Sequence, residues 1–461
     1  MTDHPLVCGS GYVPFDLPAG AEVVSPGLSL PLEPVEDLAG EVQRALDGPI
    51  DRPPLRDQVR PGNRVTIAFD DATVPCYAPL WATALPLIEA ELERGGVAPR
   101  DMTWICANAL HRRLTLDELA RLIGDDFVAS HRDRLRCHDA EDPDALVHLG
   151  TTGSGLDVEL NRAVCETDLT IYLNCSTMRA FSGGWKSVCV GLSSYRSIHH
   201  HHTPDIMSMS LDRNRMHEML DEMGRVVDSA LGPDRIFKLE TVLANPLSVH
   251  RVFGGSVWVT RAAVLDLLRH NQPARRDLID EPADVIVYGV PDWSPYAAYS
   301  HGNPILDLIS TGLGYLGGIT RAIGHSDSTA ILATPCPYRW DDAHHASYRE
   351  VWHDVIPATK DPDEARREYE PALARREDYI DLYRNGYSFH PVHGIMALYP
   401  LKRLKELRRV IVACPEDASV PRHCGFEAAP TVDEAVAMAM EDHGSDSRIA
   451  VVDNPPAFNR Q

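Results

Sequence analysis

The sequence predicts an α/β protein of two domains with mostly parallel sheets, its active site in the cleft between them. Three observations carry this. Apolar runs of strand length are each followed by a short polar loop and a segment of helical period, which is the pattern of parallel strands with crossover helices. The pattern stops in a charged, Pro-bearing stretch between about Leu265 and Ala283 and then restarts. The residues able to do chemistry cluster just after the strand-like runs, where open α/β sheets hold their ligands.

Taken in order, residues 1 to 60 are rich in Pro, Gly and acidic groups, with one helical pattern at Val35 to Leu46, and read as a lead-in arm. Arg64 to Phe69 is a strand ending in Asp70-Asp71. A helical segment from about Pro86 to Arg94 closes at Gly95-Gly96. Met102 to Ala107 is a second strand, followed by a polar turn at Asn108 to Arg113. Thr115-Leu-Asp-Glu118 then has the form of a capping box and starts the next helix. Gly150 to Gly155 is glycine-rich with no helix behind it, so it reads as a hairpin turn rather than a phosphate loop. Leu169 to Leu173 is a further strand. After the break, Asp284 to Val290, Ala330 to Ala333 and Arg409 to Ala413 are strands of a second α/β unit. The expected domains are therefore 1–280 and 281–461.

The chain has 461 residues, 44% hydrophobic and 24% charged, with a formal net charge of -23. That length supports two or three cores, and the acidic balance argues against nucleic acid or an anionic membrane as partner. Nothing near the N-terminus resembles a signal peptide and no apolar run reaches a membrane-spanning length, so a cytoplasmic protein is expected. Ten cysteines without a CxxC pair indicate neither a disulfide framework nor a zinc ribbon.

The most informative stretch is Phe181-Ser182-Gly183-Gly184-Trp185-Lys186, followed by four histidines, His199 to His202. Paired glycines let backbone approach a ligand closely, and a lysine becomes a nucleophile when burial lowers its pKa, here beside Trp185, Val188 and Val190. Neutral imidazole is a common metal ligand. An amine that holds a cofactor and an imidazole that holds a metal would then share one site. A solvated loop lysine and an exposed histidine tip are the plainer alternative. Elsewhere, His344-His345 with His353, and His390 with His393, read as structural or substrate-gating groups, with metal binding the lesser reading.

These residues, together with Asp71 to Pro75, Ala107 to Arg112 with Thr115 and Glu118, His138-Asp139, Leu149 to Thr152 with Asn161-Arg162, and Gly425 to Pro430, occur in the order found in a known family. The chain resembles the nickel-dependent lactate racemases and their homologues, which carry a nickel-pincer nucleotide. The resemblance implies a pyridinium-derived mononucleotide attached through a thioacyl group to Lys186, with nickel held by the cofactor and His202. It implies His111 as the general acid/base and Asp71 near the cofactor, with Ser182, Gly183 and Gly184 forming the cradle. Enzymes that make the cofactor are the implied partners, and a hydroxy acid the implied substrate.

The departures bear on the substrate. Where the family has a second catalytic histidine, ten residues before the lysine, this chain has Ser176; where it has an arginine three residues after the aspartate, this chain has Val74. The residues that grip the substrate carboxylate are replaced within Pro295 to His301. Serine has no pKa near neutrality and cannot replace histidine without help. The candidates for the second face, or for substrate contact, are Ser176, Arg179, Tyr299 and His301, with His199, His200 and His201 nearby in sequence. The leading expectation is a racemase or epimerase of a 2-hydroxy acid other than lactate, working by hydride abstraction and return at the α-carbon. An oxidoreductase or lyase-like enzyme with the same cofactor, a non-catalytic cofactor carrier, and a zinc hydrolase follow in that order.

Overall fold

The structure is a computed structural model describing residues 3–24, 32–73, 79–176, 181–207, 214–245, 247–271 and 278–453. It divides into two compact units. A central unit takes residues 32–270 with 380–390, and a terminal unit takes 1–31, 271–379 and 391–461. Along the chain the strands are β1 (Asp3–Cys8), β2 (Gly11–Asp16), β3 (Glu22–Val24), β4 (Val65–Asp70), β5 (Met102–Ala107), β6 (Leu135–Cys137), β7 (Leu146–Thr151), β8 (Asp157–Asn161), β9 (Leu169–Ser176), β10 (Ile236–Asn245), β11 (Ser248–Gly255), β12 (Ala283–Gly289), β13 (Gly324–Ala333), β14 (Arg409–Ala413), β15 (Glu427–Ala429) and β16 (Ile449–Val452).

The central unit is built on a sheet ordered β11-β10-β9-β4-β5-β6, parallel except where β10 and β11 pair. Every residue of β4 and β9 is buried, as expected of strands covered on both faces. The helix Leu38–Asp47, capped by the Asp37 carboxylate, and the helix Pro79–Arg94 both place side chains in a core with Trp81, Trp104 and Phe69. The Thr115 capping box is present, Thr115 accepting from the Glu118 backbone while Glu118 accepts from the Thr115 backbone. β7 and β8 form an antiparallel hairpin closed through Gly150 to Gly155, as read from the sequence.

The terminal unit carries an all-parallel sheet, β15-β14-β13-β12-β16-β3. Its core joins Val285, Val287, Ile331, Ile411 and Val451 to Leu6 and Phe15 of the β1–β2 hairpin. The division corrects the expected domains in two places. The first residues are not an arm of an N-terminal domain, because β3 completes the terminal unit's sheet against β16 and Leu6 and Phe15 fill its core. Residues 380–390 return to the central unit, where the Tyr383 hydroxyl donates to the Ala109 carbonyl at 2.9 Å and accepts from the Ala140 N–H at 2.9 Å. Contacts so distant in sequence leave no periodic signature. Among the described residues no helix is long and apolar enough to cross a membrane.

Candidate functional site

The carboxyl ends of β4, β5 and β9 carry the site's first groups. At the end of β4, Asp70 is buried and accepts from the Tyr172 hydroxyl at 2.9 Å and the Cys175 N–H at 3.1 Å. Burial pushes its carboxyl up to about 6, against the pull of the Lys238 charge. Asp71 is buried too, yet the His111 charge and hydrogen bonds from His111 and Thr73 outweigh desolvation and hold it below the usual carboxylate range. His111 follows β5 on a turn in which Ala109 takes a left-handed φ of 48° and the Asn108 side-chain amide donates to the His111 carbonyl at 3.0 Å. Its Nδ1 lies 2.9 Å from Asp71 Oδ2 and 3.0 Å from Thr73 Oγ1, and its ring meets the edge of Phe389. In the neutral ring, with Asp71 accepting from Nδ1–H, Nε2 carries the lone pair that a general base needs.

The Ser182-Gly183-Gly184 turn leads into the short helix Trp185–Gly191. Gly183 and Gly184 have φ of 86° and 56°, and a Cβ on Gly183 would stand 1.9 Å from Glu240 Oε1, so only glycine fits there. The Gly184 N–H donates to Glu240 at 3.3 Å, and the Arg261 guanidinium donates to the Ser182 carbonyl at 2.5 Å. Lys186 is partly buried, its Nζ 4.4 Å from the Phe181 ring centroid. Burial lowers its pKa to about 8, against the pull of Asp70 and Asp71 and with the added push of Arg261. The short helix Tyr195–Ile198, capped by Ser194, then delivers the histidine run. His201 is fully buried, its Nδ1 2.8 Å from Nδ1 of the half-buried His202, and its Nε2 has no hydrogen-bond partner among the described residues. Desolvation and then the Lys186 charge keep His201 neutral, its pKa near 3.

Several site groups were given no role by the sequence. Thr73 orients His111 and Asp71. On β10, Lys238 and Glu240 are both fully buried, and Arg261 and His217 pack beside the turn. Burial and then the Arg261 charge hold His217 well below its ordinary value, and its Nε2–H donates to the Phe181 carbonyl at 3.1 Å. The one available signal was the charge alternation Lys238-Leu-Glu240 inside an otherwise apolar run, which by itself reads as a solvated strand face.

Among the sequence-expected residues, Asp71, His111, Ser176, Ser182, Gly183, Gly184, Lys186 and His202 all belong to the central unit. Tyr299 and His301 belong to the terminal unit, Tyr299 with a left-handed φ of 60° and His301 with Nδ1 2.9 Å from the Gly302 carbonyl. Arg179 and Val74 lie outside the described residues. His138 is structural, its Nδ1 accepting from Asn161 and its Nε2–H donating to the Ser193 carbonyl. His390 pairs with Glu141, and His393 with the Tyr348 hydroxyl. No cluster of three or more metal-ligating side chains occurs among the described residues.

The residues present fit a cofactor tethered at Lys186: the lysine amine is poised to lose its proton, the Gly183 position has no room for a side chain, and a buried imidazole nitrogen beside the amine is unsatisfied.

Residues 9–213 match the model of the lactate racemase N-terminal domain. The chain is 26% identical over 234 residues to a lactate racemase of Lactiplantibacillus plantarum, covering 50% of this chain and 53% of that protein. It is 25% identical over 217 residues to a lactate racemase of Thermoanaerobacterium thermosaccharolyticum, covering 46% and 50%. It thus spans about half the length of the curated relatives it matches. The fold is similar to that of the lactate racemase apoprotein from T. thermosaccharolyticum over 100% of both chains, with a TM-score of 0.70 at 19% identity. A Thermotoga maritima protein of known structure is similar over 93% of this chain and 99% of its own, with a TM-score of 0.55 at 15% identity. Domain model, relatives and fold point the same way: residues 9–213 are similar to the lactate racemase N-terminal domain, and the fold of the chain is similar to that of a lactate racemase apoprotein.

Proposed function

We propose that the protein is a racemase or epimerase of a 2-hydroxy acid other than lactate, using a nickel-pincer nucleotide on Lys186. The observation that carries this reading is that a lysine amine lowered to about 8 and the His111–Asp71 pair both follow the carboxyl ends of the adjacent interior strands β9, β4 and β5, with the Asp71 charge acting on Lys186. Lys186 would hold the organic part of the cofactor, with Gly183 and Gly184 against it, and His202 would hold nickel, for which imidazole is a suitable donor. When bound, the cofactor supplies a hydride acceptor for the α-carbon.

The protein's own groups do the rest. His111 takes the substrate hydroxyl proton at Nε2, while Asp71 steadies the imidazolium through Nδ1–H and Thr73 fixes its direction. Ser176 stands where lactate racemases have a second histidine, and the segment Pro295 to His301 differs from their carboxylate-gripping residues. A substrate larger than lactate, or one with a second polar group, suits those changes. Partner enzymes would be those that make the cofactor, and the site of action the cytoplasm.

The test is expression with the cofactor-making enzymes, followed by intact mass, nickel content and racemisation of a panel of 2-hydroxy acids and aldonates. We expect a mass adduct, nickel, and inversion with retention of α-deuterium for at least one panel member. Wash-out of the deuteron to solvent would point to deprotonation at carbon instead. No turnover by nickel-loaded protein would overturn the catalytic reading.

A further inference from the structure

We infer that Ser176 and Glu240 form a second proton relay, facing substrate from the side opposite His111–Asp71. The inference rests on the proposed reaction and names the groups that would serve its other face.

The sheet register sets the geometry. β5 and β9 flank β4, so the loop bearing His111 and the end of β9 bearing Ser176 are separated by two strand spacings, roughly 10 Å. The two β4 carboxylates whose charges act on Lys186 lie between them. Ser176 Oγ donates to Glu240 Oε1 at 3.2 Å. Glu240 pairs with Asn174 across β9 and β10, and side chains two apart share a face, so Asn174, Ser176 and Glu240 all point to the face covered by the Lys186 helix. Lys238, also on that face, reaches the same helix through Ser187 Oγ at 2.5 Å.

Glu240 is fully buried and accepts from Ser176, from the Gly184 N–H and from Thr260 Oγ1 at 3.3 Å, with Lys238 and Arg261 as the nearby cations. Lys238 and Arg261 offset the cost of burying this carboxylate, and its Oε1, within hydrogen-bond reach of Ser176 Oγ, is placed to take a proton from it. The carboxylate supplies what serine lacks, a base to take its proton.

The proton of the substrate hydroxyl passes to Ser176 Oγ while the Ser176 proton passes to a Glu240 oxygen. The electron pair of the broken O–H bond stays on the substrate oxygen and becomes its carbonyl bond when the α-hydrogen departs as hydride, for which the bound cofactor would supply the acceptor. For inversion the proton comes back from the other side: His111, carrying a proton at the start of this direction, gives it to the carbonyl oxygen as hydride returns to the opposite face, while Glu240 keeps the proton it took, and the opposite hand reacts through the reverse sequence. Ser176 is the group that touches substrate, and Glu240 acts through it.

The test uses Glu240→Gln, which keeps an acceptor for Gly184, and Ser176→Ala. Single-turnover change of the cofactor's visible absorbance is followed with the D and L forms of glycerate, malate and mandelate. Each variant should lose about 10²- to 10⁴-fold in rate with one hand and stay within about twofold of the parent with the other. His111→Ala should show the opposite preference, and Glu240→Asp should restore part of the loss. On cofactor-free protein, calorimetry should show Ser176→Ala weakening binding of that same hand by about tenfold, the loss of one hydrogen bond. If the parent turns over no hydroxy acid, the proposed function fails and the calorimetric comparison alone decides the relay. Equal effects on both hands, or none, overturn it.

Discussion

Lys186 combines its proposed tethering role with a burial cost, and the burial cost is measurable without any cofactor. Its folded pKa of about 8 lies below the ordinary 10.5 because desolvation outweighs the pull of Asp70 and Asp71. In cofactor-free protein, labelling of Lys186 by an amine-acylating reagent, followed by peptide mass spectrometry, should therefore rise with a midpoint near pH 8. A midpoint near 10.5 would mean a solvated lysine. Lys186→Ala should lose the mass adduct and the visible absorbance together while the fold survives, since Lys186 is only partly buried near the start of its short helix. His111→Ala should lower turnover by about 10²- to 10⁴-fold with the adduct retained, the usual span for removing a general base. The identities of these two residues were legible in the sequence because glycines and a turn histidine leave local marks. Thr73 and Glu240 were not, because their roles arise only once β4, β9 and β10 lie side by side.

The Gly-Gly turn is held at two points, Gly184 to Glu240 and Ser182 to Arg261. Gly183→Ala would force a Cβ against the Glu240 carboxylate in a left-handed backbone, so a loss of about 2 kcal/mol or more is expected, together with a failure to load at Lys186. A thermal melt and an intact mass read both effects. A second element-level prediction concerns His138, which is buried and whose pKa burial lowers to about 4. An unfolded imidazole binds its proton near 6.5, so acid favours the unfolded chain. Stability due to this residue falls from about pH 6.5 and the loss is complete near pH 4, about 3 kcal/mol in all. Asp70, with its carboxyl raised to about 6, acts in the opposite direction between about 6 and 4. The comparison that isolates His138 is urea unfolding of the parent and of His138→Gln at pH 7 and pH 5, where the variant should show the smaller drop. At this scale the sequence was most readable. The strands from Val65, Met102, Leu169, Ala283 and Arg409 and the Thr115 cap all lie where the periodicity placed them, because each depends on a short run of neighbours.

At the scale of the molecule, each unit borrows chain from a distant part of the sequence, and this is where the sequence was least readable. The central unit depends on residues 380–390 to close over the His111 turn. Tyr383→Phe removes the hydroxyl that serves both the Ala109 carbonyl and the Ala140 N–H, so it should cost about 1 to 3 kcal/mol in chemical denaturation. A fragment ending at residue 270 should be less stable still. The terminal unit poses the more unusual problem. Its edge strand β3, at residues 22–24, pairs in parallel with β16, at residues 449–452. On a ribosome adding 5–20 residues per second, β3 waits roughly 20 to 90 seconds for its partner to be made. During that interval the central unit can close most of its sheet, while the first strands have only each other, and the β1–β2 hairpin pairs their backbone groups in the meantime. Early hairpin formation would thus hold the neighbouring strands paired while β3 waits, and the terminal unit's sheet would close only once β16 has been made.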